Sequence, residues 1–192
     1  MSAPDRASSL RERKKALTRL AIRQQAFRLF EAQGYANTTI EQIAAAADVS
    51  PRTFYRYFGV KEALLVNDDH SAPIVAAFAD APRELTVVAA YRHAVDEVFG
   101  NLSADQRDAA LTGQQLLYQV PEARGLIYAE YIALIDSLVE VLRDRLGGEA
   151  DDVERRVLAG AIVGVLIAVS HNTPLPHEAL SKALAILDAR MA

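Results

Sequence analysis

Residues 26–65 read AFRLFEAQGYANTTIEQIAAAADVSPRTFYRYFGVKEALL, and the punctuation of this stretch decides the fold. Ile22, Ala26, Leu29 and Phe30 recur at the helical period, and Gly34 marks where that first helix stops. Thr38 with Glu41 three residues later has the spacing of a capping box, which predicts a short second helix carrying Ile40, Ile43 and Ala44. Asp48 and Val49 supply a turn. Ser50 is an N-cap residue, and Pro51 takes the first helical position, where a missing N–H costs nothing. A third helix then reads Arg52, Thr53, Phe54, Tyr55, Arg56, Tyr57, with Gly59 ending it. Three short helices, the last two joined by a tight turn, make a helix-turn-helix layout.

Phe54 and Phe58 stand four apart and can share an inner face, which leaves Arg52, Thr53, Tyr55 and Arg56 outward and Tyr57 at the margin. Arginine can fork onto guanine in the major groove, a threonine methyl can meet thymine, and hydroxyls can bind phosphate. Lys61, just past the helix, is placed to grip a phosphate backbone. On a lone helix this surface would be read more readily as solvated; the caps, the turn spacing and the charge distribution shift the reading toward DNA. The chain's net charge of −4 conceals +5 over residues 1–62 and −9 over residues 63–192. A polyanion would bind the positive end. Residues 1–17 form a basic arm with Arg6, Arg11, Arg13, Lys14 and Lys15, a pattern as often a solvated tail as a DNA contact.

From Ile22 through Leu65, the set Phe30, Gly34, Tyr35, Thr38, Thr39, Ile43, Ala44, Val49, Thr53, Tyr55, Tyr57, Phe58 and Lys61 resembles the DNA-binding domain of the tetracycline-repressor (TetR) family. The resemblance implies that Thr39, Arg52, Thr53, Tyr55, Tyr57 and Lys61 touch operator DNA, with Tyr57 and Lys61 mostly on phosphates. Arg56 belongs to the same candidate surface but stands where many members carry an aromatic or smaller polar residue, so base preference stays open. A cytoplasmic homodimer is implied, most often a repressor, released from its operator by a small molecule and needing no cofactor. The segment around Pro121 and GGEADDVERRVLAGAIVGVLIAV (147–169) more weakly resemble an actinobacterial subgroup that senses acyl-CoA-like molecules.

The rest of the chain reads as further helices, so the expected class is all-α: a basic arm (1–17), a DNA-binding domain (18–62) and a larger helical domain for ligand binding and dimerisation (63–192). Breaks are expected at Pro73, Pro82, Gly100 to Ser103, Val120 to Pro121, Gly147 to Gly148 and Thr173 to Pro176. A helix running from near Lys61 toward Asp80, interrupted by Pro73, is the expected connector. Residues 121–146 carry two adjacent apolar stripes, Ile127, Tyr131, Leu134 and Leu138 beside Tyr128, Ile132, Ile135 and Val139, which predicts the central helix of the second domain. Phe78, Tyr91, Phe99, Tyr118, Tyr128 and Tyr131 are candidates for lining an effector pocket, although any one of them is more often plain core. Stripes of Val157, Ala161, Gly164 and Ala168, and of Leu180, Ala183, Leu184 and Leu187, are candidates for the dimer interface, with Gly160 and Gly164 allowing close helix approach; the same stripes would also suit the protomer's own core.

Other classes find less support. There is no cysteine, hence no thiol nucleophile, and no phosphate-cradling glycine loop, G-x-S-x-G elbow or H-E-x-x-H pair. His93 and Glu97 are four apart, but two ligands do not make a metal site. His171 is expected at the end of an apolar helix, near its last carbonyls. The longest apolar run, Val157 to Val169, falls short of the roughly 20 residues that span a bilayer, and the charged N-terminus lacks the apolar core of a secretory signal. The rival readings are a constitutive or architectural DNA-binding protein, a helical interaction module and, least favoured, a helical enzyme.

Overall fold

The computed structural model describes residues 3–65, 68–103, 107, 116–170 and 177–191, which are helical and contain no strand. The chain divides into two compact units, Met1–Leu64 and Leu65–Ala192. In the first, α1 (Ala3–Gln33) is followed by α2 (Ile40–Ala46), α3 (Pro51–Phe58) and a 3-10 turn at Lys61–Leu64. Ile22, Ala26 and Phe30, one helical turn apart on α1, are buried in a core completed by Ile43, Ala44, Phe54, Phe58 and Leu64. The expected basic arm is not a separate segment, because α1 begins at Ala3 and passes through it.

The helix ends show which sequence signals acted. Gly34 (φ 85°) and Gly59 (φ 72°) close α1 and α3 in backbone conformations that a Cβ disfavours. Asp48 takes the turn between α2 and α3 at φ 52°, one of the few non-glycine residue types that tolerate it. The cap of α2 is Thr39, one residue later than expected: its Oγ1 accepts from Gln42 N at 3.2 Å, and Gln42 Oε1 accepts from Thr39 N at 2.9 Å. Thr38 with Glu41 and Thr39 with Gln42 both fit the capping-box pattern. Thr38 is excluded because it is buried and its hydroxyl donates to Gly34 O at 2.8 Å.

The second unit holds α4 (Asp68–Asp80), α5 (Val87–Gly100), a 3-10 turn (Pro121–Ala123) leading into α6 (Arg124–Leu146), a further 3-10 turn (Gly147–Glu149), α7 (Asp152–Ser170) and α8 (His177–Met191). Lys61 and Asp80 do not share one helix: the 3-10 turn ends at Leu64 and α4 starts at Asp68. α4 runs through Pro73, its sixth residue, so the expected interruption there is not seen. The expected break at Thr173 to Pro176, and His171, lie outside the described residues.

The centre of this unit is α5 rather than α6. Val88, Ala89, Ala90, Tyr91, Ala94 and Val95 are all buried, and α5 packs against both α4 and α8. On α6 the fully buried residues, Leu138, Val139 and Leu142, lie in the C-terminal half, with Tyr131 and Leu134 packed more loosely against the core, while Tyr128 and Ile132 of the second stripe stay exposed. Two arginines fasten the connections. Arg145 of α6 donates to the carbonyls of Ala81, Pro82 and Leu85 in the α4–α5 loop, and Arg155 of α7, itself buried, donates to those of Gly147 and Ala150 and to Asp152.

Leu180 and Leu184 of α8 are buried in this core, against the expectation that they face a partner. Leu184→Ala should therefore lower the stability of the protomer by about 2–5 kcal/mol in urea unfolding. Lys182→Ala, on the exposed side of the same helix, should stay within about 0.5 kcal/mol of the parent.

Candidate nucleic-acid interface

Eight residues form α3, and each end is capped. Ser50 Oγ accepts from Thr53 N at 3.1 Å, Pro51 occupies the first position, and Gly59 N donates to Tyr55 O at 3.0 Å. Phe54 and Phe58 are buried with ring centroids 5.5 Å apart, which fixes the rotation of the helix. That rotation turns Arg52, Tyr55 and Arg56 to the outside; Tyr55 is 50% exposed. Thr53 and Tyr57 sit at the margin, half-buried, with Thr53 Oγ1 2.9 Å from Ser50 Oγ and the Arg56 guanidinium over the Tyr57 ring at 5.3 Å. Two guanidinium groups and a phenol on the outer side of a helix, an element the major groove is wide enough to admit, form a surface able to read base edges and hold phosphates.

Lys61 is engaged differently from the expected phosphate grip. Its Nζ donates to Tyr35 O and Thr38 O, both at 2.9 Å, and lies over the Tyr35 ring at 4.1 Å. Two of its three ammonium protons are thus spent on the loop between α1 and α2. Tyr35 Oη donates to Glu62 Oε1 at 2.9 Å, so consecutive residues of the 3-10 turn hold that loop. Gln33 Nε2 adds bonds to Thr38 Oγ1 at 3.2 Å and Gln42 Oε1 at 2.9 Å, tying the end of α1 to the start of α2. Tyr35, Glu62, Gln33 and Gln42 carried no functional reading in the sequence. Gln42 had a local signal in the second capping-box register; the bond between Tyr35 and Glu62 spans 27 residues and has none.

The aromatic candidates of the second unit do not form one group. Phe78 and Tyr91 pack edge to face at 5.7 Å inside the core, where burial pushes the Tyr91 phenol well above its usual range. Phe99 stacks on His177 at 5.6 Å. Tyr118 Oη and Tyr131 Oη lie 3.5 Å apart, and burial together with that hydrogen bond pushes the Tyr131 phenol up to about 12, with a bond to Ser170 opposing the shift. Ser170 is itself buried, its hydroxyl donating to Leu166 O. Tyr131 thus brings the hydroxyls of Tyr118 and Ser170 together, and Leu166, whose carbonyl accepts from Ser170, is packed on the core. Tyr128, 68% exposed, is not among them. His93 Nε2 and Glu97 Oε2 are 3.9 Å apart on the surface, both about half exposed.

Of the residues expected at a dimer interface, Val157, Gly164 and Ala168 are exposed, Ala161 and Leu187 are half-buried, and Leu180 and Leu184 are internal. With Val153 and Ile167 the exposed ones continue as a single stripe down α7, and Ile186 of α8 is likewise exposed. A Cβ built on Gly160 or Gly164 would meet open space. Among the described residues no helix is long and apolar enough to cross a membrane.

Comparison with known proteins agrees with this geometry. Residues 22–67 match the model for bacterial regulatory proteins of the tetR family, and residues 85–192, more than half of the chain, match that of the MftR C-terminal domain. The HTH-type transcriptional regulator TcmR of Streptomyces glaucescens is 34% identical over 155 residues, a match covering 74% of this chain and 66% of TcmR, just under two thirds of that relative's length. A Mycobacterium tuberculosis protein named as a mycofactocin biosynthesis transcriptional regulator, MftR, is 23% identical over 158 residues, covering 81% of this chain and 79% of its own. Among solved structures, Thermus thermophilus FadR, a repressor in complex with lauroyl-CoA, superimposes with a TM-score of 0.53 at 24% identity, covering 90% of this chain and 92% of that one.

The Lys61 clasp yields a stability prediction. Lys61→Met removes two charge-assisted bonds to carbonyls and should cost about 1–3 kcal/mol in urea unfolding. If Lys61 served DNA alone, the variant would unfold like the parent.

Proposed function

This chain belongs to the TetR family of bacterial transcriptional regulators, and from that premise we propose that it is a ligand-responsive repressor, released from its operator by a small apolar or amphipathic molecule. The observation that carries the DNA-binding part is the capped, core-anchored α3 with Arg52, Tyr55 and Arg56 outward on a net-positive N-terminal region. Arg52 and Arg56 read base edges, Tyr55 and Tyr57 position the backbone, and Thr39 and Thr53 contact the duplex through their side chains. Arg52→Ala should cost about 1–3 kcal/mol of operator affinity and relax sequence preference. Binding by that variant equal to the parent's at matched salt would remove Arg52 from direct readout.

Regulators of this family act as dimers, which suits a two-fold symmetric operator. For this chain the surface favoured is the α7 stripe of Val153, Val157, Gly164, Ile167 and Ala168 with Ile186, supported by its exposure and by the open space beside Gly160 and Gly164. A two-fold operator asks such an isologous dimer to present its recognition helices about 34–36 Å apart or somewhat more, over successive major grooves. Val157→Glu, which puts a charge on a residue the protomer core does not use, should sediment as a folded monomer at micromolar concentration. A persisting dimer would exclude this surface.

The effector site is proposed within the second unit, at the hydroxyls of Tyr118, Tyr131 and Ser170 and their apolar neighbours. A phenol is protonated at neutral pH, the more so where burial raises it as at Tyr131, and can donate to an effector oxygen. The acyl-CoA-like class is the first to try, supported by the lauroyl-CoA held by FadR. Release requires that the effector favour a state whose recognition helices no longer match two grooves, since equal affinity for both states shifts nothing. α4, the first helix beyond the unit boundary, is the natural connector. A coupling of about 1–3 kcal/mol would weaken operator binding 5- to 150-fold, and by linkage operator would weaken effector binding equally. Calorimetry with lauroyl-CoA, with and without saturating DNA from upstream of the protein's own gene, measures both. Identical affinities would return the protein to the constitutive DNA-binding class with respect to this ligand.

A further inference from the structure

Ile22 is the first buried residue among the described side chains of α1, yet the helix starts at Ala3. The helix up to that point, Ala3 to Ala21, is about 28 Å long at about 1.5 Å per residue. Its described side chains do not pack as a core element would: Lys14 and Lys15 are exposed, as are Leu17 (58%) and Leu20 (45%). Its sequence is strongly basic, with Arg6, Arg11, Arg13, Lys14, Lys15 and Arg19 against Asp5 and Glu12. Its point of departure is also defined. The Arg19 guanidinium lies over the Phe58 ring at 5.1 Å, and Phe58 is the last residue of α3, so the extension leaves the domain beside the C-terminal end of the candidate recognition helix.

We propose that residues 3–21 of α1 form a second, sequence-independent DNA contact along the phosphate backbone flanking the half-site engaged by α3. The inference rests on the DNA-binding reading above. The occupant follows from charge and continuity: a basic helix that begins at the edge of a base-reading surface meets the phosphates of the same duplex. Duplex DNA carries one negative charge per about 1.7 Å, so about 28 Å of helix passes more phosphates than its six cations can neutralise. The contact adds affinity without discrimination, because phosphates carry no base information.

The test uses the full chain with Arg11→Gln, Arg13→Gln, Lys14→Gln and Lys15→Gln together, glutamine being as good a helix former as the residues replaced. Binding is measured across salt concentrations on the operator and on a scrambled duplex of equal length. The slope of log affinity against log salt should shallow by about two or more per protomer, and affinity near 0.15 M salt should fall about tenfold or more on both duplexes. The charge-retaining pair Arg11→Lys and Arg13→Lys should keep the parent slope. Trimming base pairs outside the half-sites should weaken the parent and leave the glutamine variant unaffected. A parental slope in the glutamine variant, a loss confined to the operator, or equal sensitivity of both proteins to trimming would each overturn the proposal. A parent that binds neither duplex would instead overturn the DNA-binding reading, and this inference with it.

Discussion

Burial of Phe54 and Phe58 is the constraint on which the N-terminal unit depends. A helix of eight residues is far below the length that is stable alone in water, so α3 exists because its apolar side is held elsewhere. Full burial of a phenylalanine contributes about 1.5–3 kcal/mol, and two on one face set the rotation of the helix as well as its presence. Everything exposed on α3 follows from that rotation. Turned by one residue, Arg52, Tyr55 and Arg56 would no longer share an outer surface.

The support beneath α3 is polar and long-range. Lys61 and Glu62 hold the α1–α2 loop at the carbonyls of Tyr35 and Thr38 and at the Tyr35 hydroxyl, while Gln33 and Gln42 join the two helices that loop connects. Lys61 is thereby a residue that shapes the DNA-binding unit from within. A point charge with three donors suits that task, since two carbonyls and an aromatic face can share it.

In the second unit a similar division holds between apolar packing and arginine ties. α5 fills the centre with alanines, valines and Tyr91, and Arg145 and Arg155 donate to loop carbonyls at the chain reversals. Chain reversals held this way keep α6 and α7 in fixed register with the core, and an apolar face of α7 remains uncovered in the protomer.

The all-helical class, the helix-turn-helix and the ends of α3 were legible in the sequence because each signal acts within a few residues. Ser50 caps α3 three positions away, Gly34 and Gly59 end helices through their own φ, and the four-residue spacings of Ile22, Ala26 and Phe30 and of Phe54 and Phe58 name an inner face. Where two local solutions were equivalent, only tertiary structure chose. Thr38 and Thr39 fit the same capping pattern, and burial of Thr38 gave the cap to Thr39. Leu180 and Leu184 form as good a stripe as Val157, Gly164 and Ala168, yet α5 takes the first and leaves the second outside. Lys61 looked free for phosphate because its carbonyl partners lie 23 and 26 residues earlier. Periodicity states that a face is apolar or a side chain charged; which neighbour meets it depends on contacts between segments far apart in the chain, and no local pattern encodes those.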